Sequence, residues 1–257
     1  MKNETVNEIK QRLAAITDPS DPLLTKWAHD SRKGVLTALA RRRQQLQKQA
    51  EQHAAFLARF RYEKLFWHQG ITYVAGVDEV GRGPLAGPVV AGAVIIPADF
   101  DLELVNDSKQ LTPAKRAELA PLIDDAAIAT GLGVVDNHMI DKLNIYEATR
   151  LAMQTAVNNL AVQPERLIVD AMQVPVPIEQ LRLIKGDAKS ISVSAASILA
   201  KVHRDRLMDD YASLYPEYDF VHNAGYGTAK HLVALKQFGA TPIHRISFAP
   251  VKKSIQK

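Results

Sequence analysis

The stretch Val77-Asp78-Glu79-Val80-Gly81-Arg82-Gly83-Pro84-Leu85-Ala86-Gly87-Pro88 decides how the rest of the chain is read. It lies between two apolar runs, Ile71 to Val77 and Val89 to Ile96, which read as strands. Two adjacent carboxylates are therefore expected where a strand gives way to a loop. Acids at a strand end suit metal binding or acid/base work. The glycines allow a ligand to approach the backbone closely, because no Cβ intervenes. Arg82 can offer a planar fork to a phosphate. Neighbouring side chains of a regular strand point to opposite faces, so Asp78 and Glu79 converge only if the strand ends or twists there. Taken alone, a glycine turn between strands can equally be structural.

Outward from this stretch, the chain has 257 residues with 47% hydrophobic and 23% charged content, ordinary for a globular protein of one or two domains. No apolar run reaches the length of a membrane span, and Met1-Lys2-Asn3-Glu4 lacks the apolar core of a signal peptide. A cytoplasmic protein is the expectation. The absence of cysteine excludes disulfides, thiolate zinc sites and a cysteine nucleophile. The net charge of +4 is unevenly placed. Residues 1–70 hold 13 Lys and Arg against 7 Asp and Glu, and the remainder holds 19 against 21. A basic segment on a slightly acidic body points to a polyanionic partner, although a solvated helical surface reads the same way.

Residues 1–70 read as a helical, basic N-terminal domain. Val6, Ile9, Leu13 and Ile16 share one helix face, Asp18 to Pro22 forms a break, and Leu36 to Phe66 is nearly free of Gly and Pro. Phe56, Phe60 and Trp67 are expected in a core. The domain boundary is placed near residue 70. From Ile71 strands mix with helices. Thr112-Pro113 opens a helix through about Ala127, Ile128 to Val135 reads as a strand, and Asn144 with Glu147 caps a helix through Leu160. Leu167 to Asp170 and Leu181 to Ile184 are short strands, Ser190 to Leu214 is a long helix, and Asn223 to Thr228 is a loop before a helix to about Phe238. The order predicts an α/β fold, a mixed sheet flanked by helices, with antiparallel neighbours first and parallel crossovers later.

Asp78, Glu79, Asp170 and Asp187 each follow a short apolar stretch. Clustered without compensating cations they would repel one another, and one would stay protonated unless metal were present. An all-oxygen set favours Mg²⁺ or Mn²⁺ over zinc, and two such ions about 3.5–4 Å apart are the usual clamp for phosphodiester hydrolysis. Singly, Asp170 could cap a turn and Asp187 could form an Asx-turn. Lys109, Lys185, Lys189 and Lys201 are candidate phosphate contacts, Lys185 and Lys189 because they flank Asp187.

The segment from Asp78 to Val89 resembles the signature of the type 2 ribonucleases H, bacterial ribonuclease HII in particular. The likeness continues in order through Asp107-Ser108-Lys109, Val169-Asp170, Lys185 to Ser190, Ala195 to Val202, Arg204-Asp205-Arg206, Gly225 to Thr228 and His244-Arg245, covering about residues 71–250. It implies a ribonuclease H-like catalytic domain over 71–257. The implied activity is an endonuclease acting on RNA–DNA hybrids and cutting 5′ of single ribonucleotides embedded in duplex DNA. It would leave 3′-hydroxyl and 5′-phosphate ends and serve in removal of RNA primers and misincorporated ribonucleotides. The resemblance makes Asp78, Glu79, Asp170 and Asp187 a metal-binding and catalytic quartet for two divalent ions, Mn²⁺ or Mg²⁺. It makes Gly81-Arg82-Gly83 a sensor of the ribose 2′-hydroxyl and Tyr226 a ring packed on the next sugar. The 2′-hydroxyl is the sugar feature that distinguishes RNA from DNA at one nucleotide. The relatives' use of such N-terminal extensions implies substrate gripping by residues 1–70. A monomer is expected. Two departures concern loop shape: Ala171-Met172 stands where many relatives have Gly-Asn, and Ser192-Val193-Ser194 replaces a more alanine-like stretch. A binding module without turnover would need the acids to be structural, and a phosphate-loop hydrolase would need a Gly-Lys-Ser/Thr ending that the glycine turn lacks.

Overall fold

The computed structural model describes residues 4–255, so Met1–Asn3 of the opening segment lie outside the described residues. The chain divides into two compact units, Met1–Leu57 and Ala58–Lys257.

In the first unit, α1 (Val6–Ala15) begins at a capping box. The Thr5 hydroxyl accepts from Glu8 N–H, and the Glu8 carboxylate accepts from Thr5 N–H. Asp21 caps the short α2 (Pro22–Lys26), where the expected break lies. α3 (Lys33–Ala58) is a 26-residue helix. Ile9, Leu13, Ile16, Leu24, Trp27, Val35, Leu39 and Leu46 form this unit's core.

The second unit opens with α4 (Arg61–Trp67), whose Phe60 and Trp67 rings lie 6.3 Å apart. The expected boundary near residue 70 thus differs from the division at residue 57. Glu63 of α4 is fully buried, and its carboxylate accepts from the hydroxyls of Ser190 and Ser192 and from Ser192 N–H. Composition does not reveal this, because α3 and α4 are equally helical in pattern.

The strands are β1 (Val74–Val80), β2 (Val89–Ile95), β3 (Ala129–Val135), β4 (Arg166–Asp170) and β5 (Gln180–Leu183). They form one mixed sheet in the order β3-β2-β1-β4-β5, with β1–β2 and β2–β3 antiparallel and β1–β4 and β4–β5 parallel. α5 (Pro113–Ala126) follows the Thr112 cap. α6 (Asn137–Leu143), not foreseen, precedes α7 (Ile145–Asn158), and Asn144 caps α7 by accepting from Tyr146 and Glu147 N–H. α8 (Ile191–Leu214) packs on the face of β1 that carries Gly76. A Cβ on Gly76 would lie 2.2 Å from the Ser192 carbonyl carbon and the Val193 nitrogen, so only glycine lets helix and sheet approach this closely. α7 packs on the other face through Ala148, Ala152, Met153, Ala156 and Val157. α9 (Phe220–Asn223), α10 (Ala229–Phe238) and α11 (Ala249–Ile255) complete the chain, and the core around Tyr218, Phe220, Leu235 and Val251 joins them to the end of α8. α11 is absent from the sequence expectation.

Candidate active site

β1 runs through both acids to Val80, not only to Val77. The antiparallel partner β2 extends the strand, since Asp78 pairs with Gly92 and Glu79 with Ala91. Alternation then puts Asp78 on the α8 side of the sheet, in step with Gly76, and turns Glu79 toward the opposite side at the strand's end. Val77 pairs with Val169, so Asp170 stands one residue beyond that pair on β4, level with Asp78. Asp187 comes from a single 3₁₀ turn after β5, Gly186–Ala188. Gly186 N–H donates to Asp170 Oδ1 at 2.6 Å, which links the third and fourth acids through the main chain.

The electrostatics follow from burial. Asp78 is 4% exposed and Asp187 is 5% exposed. Burial, then the charges of Glu79, Asp170 and Asp187, push the Asp78 carboxyl well above the usual range. Burial likewise raises Glu79, against the pull of Arg82, and raises Asp170, against its hydrogen bond from Gly186. Compensation is sparse. Arg82 Nη1 lies 3.3 Å from Glu79 Oε1, and Lys109 Nζ lies 2.8 Å from Asp187 Oδ2. Glu79 Oε2 is buried with no hydrogen-bond partner.

As placed, the carboxylates stop short of a closed cage. Among the described residues no three His, Asp or Glu side chains converge tightly enough to grip one ion. The donor set nevertheless suits a hard divalent ion: carboxylate oxygens, an orphaned buried oxygen on Glu79 and one acid driven toward its neutral form.

The glycine turn lies beside this cluster. Gly81 adopts φ +93°, in the left-handed region. Tyr226 is 47% exposed, and a Cβ on Gly83 would lie 3.2 Å from its Cε1. Lys185 and Lys189 are exposed on either side of Asp187. Lys201 is engaged elsewhere, its Nζ 2.6 Å from Asp205 Oδ1, so it is not directed at the acids. Sequence reasoning missed several supporting residues. The Ser194 hydroxyl shares its one proton between the Asp187 and Ser190 carbonyls, 2.6 and 2.8 Å away, so one departing serine supports the fourth acid. Glu63, Arg204 and Arg245 are fully buried ionisable side chains, each held by hydrogen bonds to other buried groups. Arg204 and Arg245 lay within the matched blocks but offered no local sign of burial.

A protein described as ribonuclease HII from Lactobacillus delbrueckii subsp. bulgaricus is 59% identical over 251 residues, covering 97% of this chain and 97% of that protein. The chain belongs to the ribonuclease HII family. The family profile described as Ribonuclease HII matches residues 75–251, and one described as Ribonuclease HII N-terminal domain matches residues 5–67. The ribonuclease HII of Levilactobacillus brevis is 55% identical over 255 residues, 99% of each chain. Among solved structures, the ribonuclease H2 of Pyrococcus horikoshii OT3 superposes with a TM-score of 0.62 at 30% identity, covering 72% of this chain and 97% of that one. As a ribonuclease HII the chain is an endonuclease that cleaves RNA in RNA–DNA hybrids and at embedded ribonucleotides. Its fold is ribonuclease H-like, with an N-terminal helical domain. No helix among the described residues is long and apolar enough to cross a membrane.

Proposed function

We propose that Asp78, Glu79, Asp170 and Asp187 hold two divalent ions, Mn²⁺ or Mg²⁺, and that cleavage falls 5′ of the ribonucleotide, leaving 3′-hydroxyl and 5′-phosphate ends. The observation that carries this reading is geometric: Asp78 is 4% exposed, Asp170 stands level with it on the neighbouring strand, and Gly186 N–H ties Asp170 to the turn that carries Asp187. Divalent metal is what the family uses. When bound, the ions supply activation of the attacking water and stabilisation of the leaving oxygen.

The chain's own groups account for the rest. Gly186 N–H fixes the Asp170 carboxylate, and Ser194 holds the Asp187 main chain. Lys109 meets Asp187 and is the cation that an ion in this position would displace, which frees its ammonium for a phosphate. Lys185 and Lys189 contact phosphates on either side. The Gly81-Arg82-Gly83 turn senses the 2′-hydroxyl through its main chain, with the Arg82 fork available to a phosphate. Tyr226 packs on the adjoining sugar at the RNA–DNA junction. Residues 1–70 grip the duplex through their basic excess. The protein acts as a monomer in the cytoplasm and removes RNA primers and misincorporated ribonucleotides.

The test uses duplex DNA carrying one ribonucleotide, incubated with wild type and with Asp78→Asn, Glu79→Gln, Asp170→Asn and Asp187→Asn, in Mn²⁺, Mg²⁺ or chelator. Each variant should lose cleavage and retain substrate binding. Full activity in any one of them removes that residue from the quartet, and activity in chelator removes the metals.

A further inference from the structure

Arg204 and Arg245 are the two largest side chains that the fold buries completely. Burying a guanidinium is unfavourable unless its donors are satisfied. Here the hydrogen bonds of both groups run to main-chain carbonyls. Arg204 donates from Nε to Pro88 O at 3.0 Å, from Nη1 to Ala224 O at 2.9 Å and from Nη2 to Ala86 O at 3.2 Å. Arg245 donates from Nε to Gly87 O at 3.0 Å, from Nη1 to Arg82 O at 3.0 Å and from Nη2 to Gly81 O at 2.6 Å.

Five of these six carbonyls belong to the turn between β1 and β2, and the sixth lies two residues before Tyr226. The turn contains no cis peptide. In a trans peptide the C=O and the following N–H point in opposite directions. Drawing the Gly81 and Arg82 carbonyls inward to Arg245 therefore turns the Arg82 and Gly83 N–H groups away from the core. We propose that Arg204 and Arg245 are positioning residues for ribose recognition: they aim the Arg82 and Gly83 amides at the substrate sugar and tie that turn to the Tyr226 loop. The inference rests on the reading of this turn as the 2′-hydroxyl sensor.

Gly81 completes the fit, because a Cβ there would lie 2.2 Å from Arg204 Nε. Burial lowers Arg204 to about 10, and burial with the Arg204 charge lowers Arg245 to about 9, so both remain charged near neutral pH. Asp205 and Asp141 are the carboxylates near the pair. Lysine keeps the charge but offers donors from a single atom, and it cannot reproduce a fork spanning three carbonyls.

The test measures kcat and KM for the full chain and for Arg245→Lys on duplex DNA carrying one ribonucleotide, and on the same duplex with a 2′-fluoro nucleotide in its place. The thermal shift on adding Mn²⁺ reports the acid cluster separately. Wild type should require the 2′-hydroxyl. If it cuts both duplexes alike, the sensor reading itself fails. If wild type discriminates, folded Arg245→Lys should keep its KM and its Mn²⁺ shift while kcat falls by roughly ten- to hundredfold, as expected when reacting groups are misplaced. A folded Arg245→Lys with wild-type kcat overturns the positioning role and leaves the sensor reading standing. Should that variant not fold, Arg204→Lys is judged by the same criteria. If neither folds, the arginines serve the fold rather than the aim of the turn, and the proposal is overturned.

Discussion

At the scale of single residues, Asp78 and His244 are buried groups held in unfavourable settings for opposite reasons. Asp78 is buried among like charges, which together with burial raise its carboxyl. Replacing it with Asn removes the cost of burying an ionisable carboxyl beside three others. Asp78→Asn should therefore raise the thermal midpoint of the metal-free protein while lowering cleavage at least roughly hundredfold, since loss of a proposed metal ligand would forfeit several kcal/mol of transition-state stabilisation. A lowered midpoint in calorimetry would show that Asp78 is not repelled. His244 accepts from Thr241 N–H at Nδ1, so its Nε2 carries the proton. That group donates to His231 Nε2 at 2.9 Å, and His231 Nδ1–H donates to Tyr226 O at 2.9 Å. The relay needs both rings neutral. Burial, then the nearby His231, lowers His244 from 6.5 to about 4. The unfolded state therefore takes up a proton that the folded state refuses between these values. Stability should fall as pH drops from 6.5 to about 4, by no more than about 3 kcal/mol from this group. Because the raised carboxyls of Asp78, Glu79 and Asp170 act in the opposite sense, urea titrations of wild type and His244→Asn across that window check it, and parallel profiles contradict it. Tyr226→Ala should reduce cutting at single embedded ribonucleotides more than at long hybrids, in side-by-side rate measurements. Equal losses argue against a junction-reading ring.

At the scale of elements, the strands and the long helix were legible because apolar runs and caps are local signals. Val89 to Ile95 and Ile191 to Leu214 lie within a residue of where the pattern places them. The end of β1 was not legible. Asp78 and Glu79 read as sitting where the strand gives way to a loop, yet pairing with Gly92 and Ala91 on β2 carries the strand through and past them. Polar residues can continue a strand when a partner strand satisfies their main chain, and no local pattern announces the partner. The contact between α8 and the sheet was equally hidden, since Gly76 reads as an ordinary small residue. Gly76→Ala should destabilise the protein by about 1–3 kcal/mol or more, because its Cβ meets helix backbone that cannot rotate aside. Denaturant midpoints measure this, and an unchanged midpoint would show that α8 can shift at no cost.

At the scale of the whole molecule, the question is where one unit ends. The charge imbalance and the break near Gly70 place the boundary near residue 70, and the two family profiles part between residues 67 and 75, while the compact units divide after Leu57. Arg59 donates to Asn106 Oδ1 and Val105 O, and Glu63 receives Ser190 and Ser192, all within the second unit. Removal of residues 1–57 should leave the second unit folded, while removal of 1–70 should lower its thermal midpoint by stripping Glu63 and the Phe60–Trp67 pair. Comparable midpoints for the two truncations would refute this division of labour. If the basic segment grips the duplex, the 1–57 truncation should also bind hybrid more weakly. The slope of log affinity against log salt should shrink by about 1 for every phosphate that the truncated chain no longer neutralises.

Residue types and their spacing, by themselves, determined the class of fold, the helical character of the N-terminal segment and which acids are proposed for a hard-metal chemistry. Those properties follow from local periodicity and from donor atoms, which are present in the chain before it folds. Only the tertiary structure decided that β1 continues through its acids, that Lys109 meets Asp187, and that two arginines lie sealed beneath the glycine turn. Each of those depends on partners far apart in the chain, and burial of a charge becomes tolerable only when distant main-chain oxygens arrive to receive it.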